Sequence, residues 1–332
     1  MAKERTSVRM QAQIRTLYEQ GYSIRRIARI LKLSRKTVRK FLESPLQPVE
    51  EMDYNLLFRW FVGLNADEDV WDATTFTKNR DRLLEADVAK EFLAVVVEQA
   101  RAKGLISDEH FTVDGTLLEA WASLKSFRPK EEKPPPGSDD PGNPTVNFRG
   151  EKRSNETHQS KTDPQALLAR KGDGKEAKLS YSGNLLVENR NGLIVDAEVF
   201  QANGTAERDA ALMMLEQIAG VQQVTVGGDK GFDTKDFVKE CRHMRVTPHV
   251  AQNVARRGGS AIDGRTTGHL GYAISQRKRK RIEECFGWLK TVALLRKVRH
   301  RGVCKVHWIF SLACAAYNLV RMRNLATAVP AV

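Results

Sequence analysis

The order of strand-like and helix-like segments between His110 and Lys290 most constrains the fold. A short apolar run, HFTVD, is followed after a charged stretch by KLSYSGNLLVEN and LIVDAEVF, which the NRNG turn at 189–192 joins into a predicted hairpin. Amphipathic helical segments then alternate with the apolar runs QVTVGGD and RVTPHVAQN. This order predicts an α/β fold in which helices flank a mixed sheet, as in a ribonuclease-H-like domain.

Two of the predicted strands end in an acid. Asp114 follows HFTV and precedes Gly115, so the strand is predicted to end there and to give way to a short amphipathic helix, LLEAWASL. Asp229 ends QVTVGGD in the same way. An acid at the end of a strand lies at a sheet edge, where ligands bind. The alternative is an Asp that only bonds its own turn.

A third carboxylate lies in the basic segment SQRKRKRIEECFGWLK, Ser275 to Lys290. On a helix of about 100° per residue, Arg279, Glu283 and Lys290 share one face because their spacings are four and seven. Glu284 faces about 100° further round and is the alternative third acid. A surface helix with ordinary salt bridges is the other interpretation of the segment.

Three carboxylates from separate elements suit phosphodiester chemistry. Two divalent ions about 3.5 to 4 Å apart stabilise the attacking and leaving oxygens, and each ion needs hard oxygen ligands. Asp114, Asp229 and Glu283 are therefore the candidate catalytic and metal-binding residues, and two Mg²⁺ or Mn²⁺ ions are the expected cofactor. Arg279 and Lys290 are candidate contacts to the phosphates of the cleaved strand.

The charge balance favours a nucleic-acid partner. The chain has 332 residues, and its 54 Lys and Arg against 41 Asp and Glu give a formal net charge of +13, which attracts a polyanion. The four cysteines show no C-x-x-C pairing, so neither a zinc ribbon nor a disulfide framework is expected.

A cytoplasmic, nucleoid-associated location without a membrane partner is expected. The N-terminal sequence MAKERTSVRM has no apolar run of the secretory type. The longest mostly apolar run, 308–320, is too short to span a bilayer and is predicted to form a buried C-terminal helix.

The first 44 residues predict a helix-turn-helix. Ser23 is positioned to cap one helix, and Ser34 to cap a second, RKTVRKFL. A small, solvated helical hairpin is the alternative interpretation. The basic side chains of the second helix are candidate DNA contacts: Arg35, Lys36, Arg39 and Lys40.

The predicted division of the chain has four parts. Residues 1–44 form the helix-turn-helix, 45–105 a linker and helical scaffold, 106–325 the catalytic domain and 326–332 a tail. A charged loop insertion without a core of its own is predicted at about 127–177.

Several long blocks closely resemble the DDE transposases of the insertion-sequence-five family. They include FTVDGTLLEAWASLKSFRPK, NFRGEKRSNETH, YSGNLLVENRNGLIVDAEV, GTAERDAAL, GGDKGFDT and RKRIEECFGWLKT, and the resemblance covers about 53–324. By position, Asp114, Asp229 and Glu283 match that family's three acids. The helical segment fits the family pattern Y-x2-R-x3-E-x6-K, with Gln276 where the pattern has Tyr. SIRRIARILKLSRKTVRKFL resembles the helix-turn-helix of the insertion-sequence-twenty-one transposases.

The resemblance implies an enzyme that cuts double-stranded DNA at transposon ends and joins the ends to target DNA. Joining two ends implies a homodimer in the DNA complex. A DNA-binding regulator or an inactive transposase remnant is the alternative from another class, and a nuclease without strand transfer is a third.

Overall fold

The computed structural model describes residues 87–130 and 154–327, except 173, 219, 221 and 222. Before residue 87 it describes 22–31, 33–43 and scattered positions between 14 and 84. The chain divides into two compact units, Met1–Arg82 and Leu83–Val332.

The N-terminal unit contains the helices α1, Ile24–Ile30, and α2, Arg35–Glu43. Ser23 caps α1 because its side chain accepts a hydrogen bond from the Arg26 N–H. The Ser34 hydroxyl accepts from the Thr37 N–H at 3.0 Å. Both caps agree with the sequence prediction, and a small core that includes the fully buried Ile27 holds the two helices together.

Six strands form the main sheet of the second unit within the described residues: β1 His110–Glu119, β4 Leu167–Ala169, β5 Lys178–Glu188, β6 Ile194–Gln201, β7 Val224–Gly228 and β8 Val246–Val250. Two further strands pair separately: β2 Phe127–Pro129 and β3 His158–Ser160. The helices of this unit that the structure describes are α3 Val88–Ala102, α4 Ala206–Ile218, α5 Lys235–His243, α6 Gly264–Thr267, α7 Leu270–Lys278, α8 Ile282–Thr291 and α9 Val303–Thr327.

The strand directions define the fold class. β5 runs antiparallel to β1, and both β6 and β4 run antiparallel to β5. β7 runs parallel to β1, and β8 runs parallel to β7. Antiparallel pairing thus joins β4, β6 and β1 to β5, and parallel pairing joins β7 and β8 on the other side of β1. This mixed sheet, with β1 in the middle, is the ribonuclease-H-like sheet that the sequence predicted.

Helices cover both faces of this sheet. Side chains of one strand alternate between faces, so Leu118 and Val113 on β1 lie in different hydrophobic clusters. The Leu118 cluster includes residues of α3, α8 and α9, and the Val113 cluster includes residues of α4 and α5. The sheet is therefore the central layer of three.

The predicted strand end at Asp114 and the helix LLEAWASL are wrong. β1 continues to Glu119 and pairs with β5 along its whole length from Phe111, with Asp114 opposite Leu185. Pairing with the long strand β5 and the burial of Leu118 outweigh the local helical pattern. Asp114 consequently lies in the middle of a strand.

The charged segment at about 127–177 contains β2, β3 and β4. Two of its polar side chains, Ser160 and Asp163, are buried, and the Tyr181 hydroxyl donates to the Asp163 carboxylate at 2.6 Å. The described part of this segment thus packs on the sheet, which differs from the predicted loop without a core.

The C-terminal helix α9, Val303–Thr327, is the one helix among the described residues that is long and apolar enough to cross a membrane by length and composition. It packs against α3 and β6, with Phe310 and Cys314 fully buried. The sequence predicted a buried helix here, and the helix extends beyond the predicted run 308–320.

Candidate active site

Asp114 lies on β1, and Asp229 directly follows the neighbouring parallel strand β7. The β1–β7 register pairs Thr112 with Gly227, and continuing it by two residues sets Asp114 opposite Asp229. Because neighbouring strands are about 4.8 Å apart, the two carboxyl groups belong to one site. β7 ends at Gly228, whereas β1 continues to Glu119. Asp114 is therefore in the middle of its own strand but lies just beyond the end of the neighbouring strand.

Backbone N–H groups orient both carboxylates. The Gly115 N–H donates to Asp114 Oδ1 at 2.8 Å. The Gly231 N–H donates to Asp229 Oδ1 at 2.7 Å, within the turn Lys230–Phe232 that Asp229 caps. The other oxygen of each group, Oδ2, accepts no hydrogen bond from the described residues. Two fixed carboxylates with a free oxygen each are suitable ligands for a hard cation.

The electrostatics of the site also favour a cation. Burial and the nearby charges of Asp229 and Glu207 raise the pKa of Asp114 to about 7, although the Gly115 N–H and the Arg279 guanidinium oppose the shift. Like charges gathered in a partly buried site disfavour one another's ionised form. A bound cation would relieve this repulsion.

Glu207 is a further carboxylate at this site, and the sequence patterns did not single it out. It lies in the first turn of α4 and is half-buried. A Cβ placed on Gly115 would lie 2.5 Å from Glu207 Cγ, so the Glu207 side chain lies directly over the neighbour of Asp114. Burial and the charge of Asp229 raise its pKa. In the sequence, Glu207 stands out only as part of the block GTAERDAAL. An acid in the first turn of a helix is common, so its position alone does not indicate a site.

Gly115→Ala is expected to lower the free energy of unfolding by about 1 to 3 kcal/mol, because its Cβ would overlap both Glu207 and the buried Asn184 side chain. Chemical denaturation measures this change. Gly287→Ala is the matched control: no atom lies within 4 Å of its added Cβ, and Ala in place of Gly within α8 should stabilise the helix by up to about 1 kcal/mol. Equal stabilities for the two variants would contradict the placement of Glu207.

The segment that carries the third predicted acid packs beside the two aspartates. Lys290, near the end of α8, donates a hydrogen bond from Nζ to the Thr116 hydroxyl, and Thr116 is on the same face of β1 as Asp114. At the other end, Arg279 lies against β7, since a Cβ placed on Gly227 would lie 3.4 Å from Arg279 Cβ.

Glu283 lies between these two contacts along the chain. It precedes Lys290 by seven residues on α8, so these two side chains share one face, and the Glu283 side chain is exposed. Arg279 lies before α8, in the 3-10 turn Arg279–Arg281, which interrupts the single helix that the sequence predicted. Glu284 is also exposed and lies about 100° further round. The choice between Glu283 and Glu284 as the third acid therefore still rests on their spacing from Lys290.

Asp114 and Asp229 together supply only part of a metal site. No group of three His, Cys, Asp or Glu side chains among the described residues is close enough to hold a metal ion. Asp114 and Asp229 fit a divalent cation by their donor chemistry and their level placement. A third carboxylate would have to change its side-chain conformation to join them.

The predicted DNA contacts of the N-terminal unit lie on α2. Arg35, Lys36 and Arg39 are exposed. Lys40 is on the same helix, but its side chain lies outside the described part of the chain.

One carboxylate on β1 and one at the end of β7 suit the paired-metal chemistry of enzymes that cut nucleic-acid strands. The family described as “Transposase DDE domain” matches residues 153–319, half of the chain, and the chain belongs to this family. Residues 3–44 match “Helix-turn-helix domain of resolvase”. The protein is therefore a DDE transposase with a helix-turn-helix DNA-binding domain. DDE transposases use divalent metal ions.

Three solved transposase structures are similar to this chain at low identity and low TM-score. The Mos1 transposase paired-end complex with the left transposon end is 9% identical, with 94% of this chain and 98% of that chain covered and a TM-score of 0.22. The Mos1 strand transfer complex is 9% identical, with 94% and 97% covered and a TM-score of 0.22. The piggyBac transposase synaptic complex with hairpin DNA is 8% identical, with 97% and 66% covered and a TM-score of 0.34. Residue roles do not transfer at such scores. No curated protein matches the chain.

Proposed function

We propose that this transposase binds transposon ends and cleaves and joins DNA strands at a site formed by Asp114, Asp229 and Glu283. The observation that carries the proposal is the level placement of Asp114 on β1 and Asp229 at the end of β7, with α8 packed beside them. Two Mg²⁺ or Mn²⁺ ions would stabilise the attacking and leaving oxygens when bound. A backbone N–H bonds one oxygen of each aspartate and leaves the other oxygen available to a cation.

The cations near these acids support a role in holding the DNA strand. Burial and the positive charges of Lys171 and Arg296 lower the pKa of Lys290, so three cations lie near one another. Such a group attracts a phosphate. Arg279 would contribute its guanidinium from the turn before α8, and the exposed side chains of α2 would contact the duplex.

Finer assignments belong to the same proposal. The sequence blocks support membership of the insertion-sequence-five family for the catalytic domain, 106–325, and an insertion-sequence-twenty-one-like helix-turn-helix, 1–44, joined by the scaffold 45–105. Since two transposon ends must be joined, a homodimer is the expected assembly. A cytoplasmic location at the nucleoid without a membrane partner is part of the proposal, and the basic composition supports the nucleic-acid partner.

A DNA-binding regulator derived from a transposase is the second candidate. It is favoured by one observation: no three potential ligands among the described residues are close enough for a metal. Incubation with a duplex that carries the DNA flanking the coding sequence, in Mg²⁺ or Mn²⁺, separates the two. Strand cleavage that EDTA abolishes supports the transposase, and binding without metal-dependent cleavage supports the regulator.

Lys290→Ala is expected to weaken DNA binding to a similar extent for all sequences, because a phosphate contact carries no sequence information. The slope of log affinity against log salt concentration should fall by about one. Lys305→Ala, at an exposed lysine of α9, is the matched control and should leave the slope unchanged. An unchanged slope for Lys290→Ala would count against the phosphate contact.

A further inference from the structure

Gln276 connects the edge of the sheet to Arg279. It lies on α7 and is half-buried. Its side-chain Nε2 donates to the carbonyl oxygen of His249, and its Oε1 accepts from Arg279 Nε at 3.0 Å. The chemistry of the partners fixes the orientation of the amide, since a carbonyl can only accept and a guanidinium can only donate.

His249, whose carbonyl binds Gln276, lies on β8, the strand that pairs with β7 just before Asp229. His249 is buried on β8 and pairs with Gly227 of β7, two residues before Asp229. Its ring is also held, because Nδ1 lies 2.7 Å from the Ser275 hydroxyl and the Tyr272 ring packs against it edge-on. The His249 carbonyl is therefore a fixed point relative to the aspartate pair.

The bond to Gln276 leaves the terminal edge of Arg279 available. With Nε occupied, no hydrogen bond or ion pair joins Nη1 or Nη2 to another residue that the structure describes. The guanidinium lies close enough to Asp114 to lower its pKa. A guanidinium held at Nε and free at both Nη atoms presents the fork that binds two phosphate oxygens at once.

We propose that Gln276 is a positioning residue that fixes the Arg279 guanidinium for contact with a DNA phosphate at the active site. This inference rests on the proposed function, and it concerns the position where the family pattern has Tyr. The Gln276 side chain bonds the His249 carbonyl and Arg279 and no carboxylate, so its effect on DNA is expected to pass through Arg279.

A double-mutant cycle in binding tests this coupling. Gln276→Met keeps the length of the side chain and removes both hydrogen bonds, and Arg279→Ala removes the charge. Affinity for a labelled duplex that carries the flanking DNA is measured by fluorescence anisotropy in EDTA over a series of salt concentrations. Arg279→Ala is expected to lower affinity about tenfold and the salt slope by about one. Gln276→Met should lower both by a smaller amount, and the double variant should equal Arg279→Ala.

Additive losses of DNA affinity in the two variants would overturn the inference. If the loss caused by Gln276→Met adds in full to that of Arg279→Ala, or if Gln276→Met binds as the wild type does, Gln276 does not act through Arg279. Gln276→Asn, one methylene too short to bridge both partners, gives the same test if the Met variant folds poorly. Gln252→Met is the matched control: its amide bonds the Ile262 carbonyl at 3.3 Å, and it should bind as the wild type does.

The cycle is independent of catalysis because no strand is cut in EDTA. A wild-type protein that binds DNA but shows no metal-dependent cleavage contradicts the proposed function, and the coupling between the two side chains is still measured. A wild-type protein that cleaves DNA while the two substitutions act additively contradicts only the role of Gln276.

Discussion

Asp114→Asn is expected to reduce metal-dependent strand cleavage about a thousand-fold, equivalent to roughly 4 kcal/mol of lost transition-state stabilisation. Asn keeps the shape of the side chain and can still accept the Gly115 N–H, so the strand and its pairing are preserved. It lacks the charge that a cation needs beside Asp229. Cleavage of the flanking-DNA duplex in Mg²⁺, with binding measured in EDTA, separates the lost chemistry from a lost DNA contact.

The matched control for this substitution is Asp236→Asn. Asp236 is an exposed acid in the first turn of α5, and its charge is not among those that shift the pKa of Asp114. The Asp236→Asn variant should cleave DNA at the wild-type rate. Cleavage that persists in Asp114→Asn would remove Asp114 from the site and with it the proposed metal pair.

Asn318→Ala is expected to lower the free energy of unfolding by about 3 kcal/mol or more. Asn318 is fully buried on α9, where Oδ1 accepts from the Ile194 N–H at 2.9 Å and Nδ2 donates to the Ile194 carbonyl at 2.7 Å. Removing the amide leaves a buried donor and a buried acceptor without partners, and each costs about 1 to 3 kcal/mol. Urea denaturation monitored by circular dichroism measures the loss.

Leu319→Ala is the control for Asn318→Ala, because the neighbouring side chain is 42% exposed on the same helix. Its expected cost is well under half that of Asn318→Ala. If the two variants have the same stability, the bridge between α9 and β6 does not hold the C-terminal helix to the sheet.

The sequence predicted the class of fold because the order of strands and helices is encoded locally. Apolar runs such as QVTVGGD and the hairpin around Asn189–Gly192 keep their patterns whatever they pack against. The helix predicted after Asp114 failed for the opposite reason. Its pattern fits either element, and only the long partner β5 decides for a strand.

The candidate site was predictable only in its outline. Asp114 and Asp229 could be selected from their positions beside apolar runs, but their level placement depends on the β1–β7 register, which no local pattern encodes. The contact between Glu207 and Gly115 joins residues far apart in the chain. So does the contact between Lys290 and Thr116. Such contacts follow from the packing of helices on the sheet.

The central claim is that Asp114, Asp229 and Glu283 surround one divalent metal site, and affinity cleavage of the polypeptide tests it most directly. Fe²⁺ replaces Mg²⁺, and ascorbate with peroxide generates radicals that cut the backbone beside the bound ion. We expect fragments that end near Asp114, Asp229 and Glu283, and we expect excess Mg²⁺ to suppress all three cuts together. Cuts that map elsewhere, or that Mg²⁺ does not suppress, would contradict the metal site.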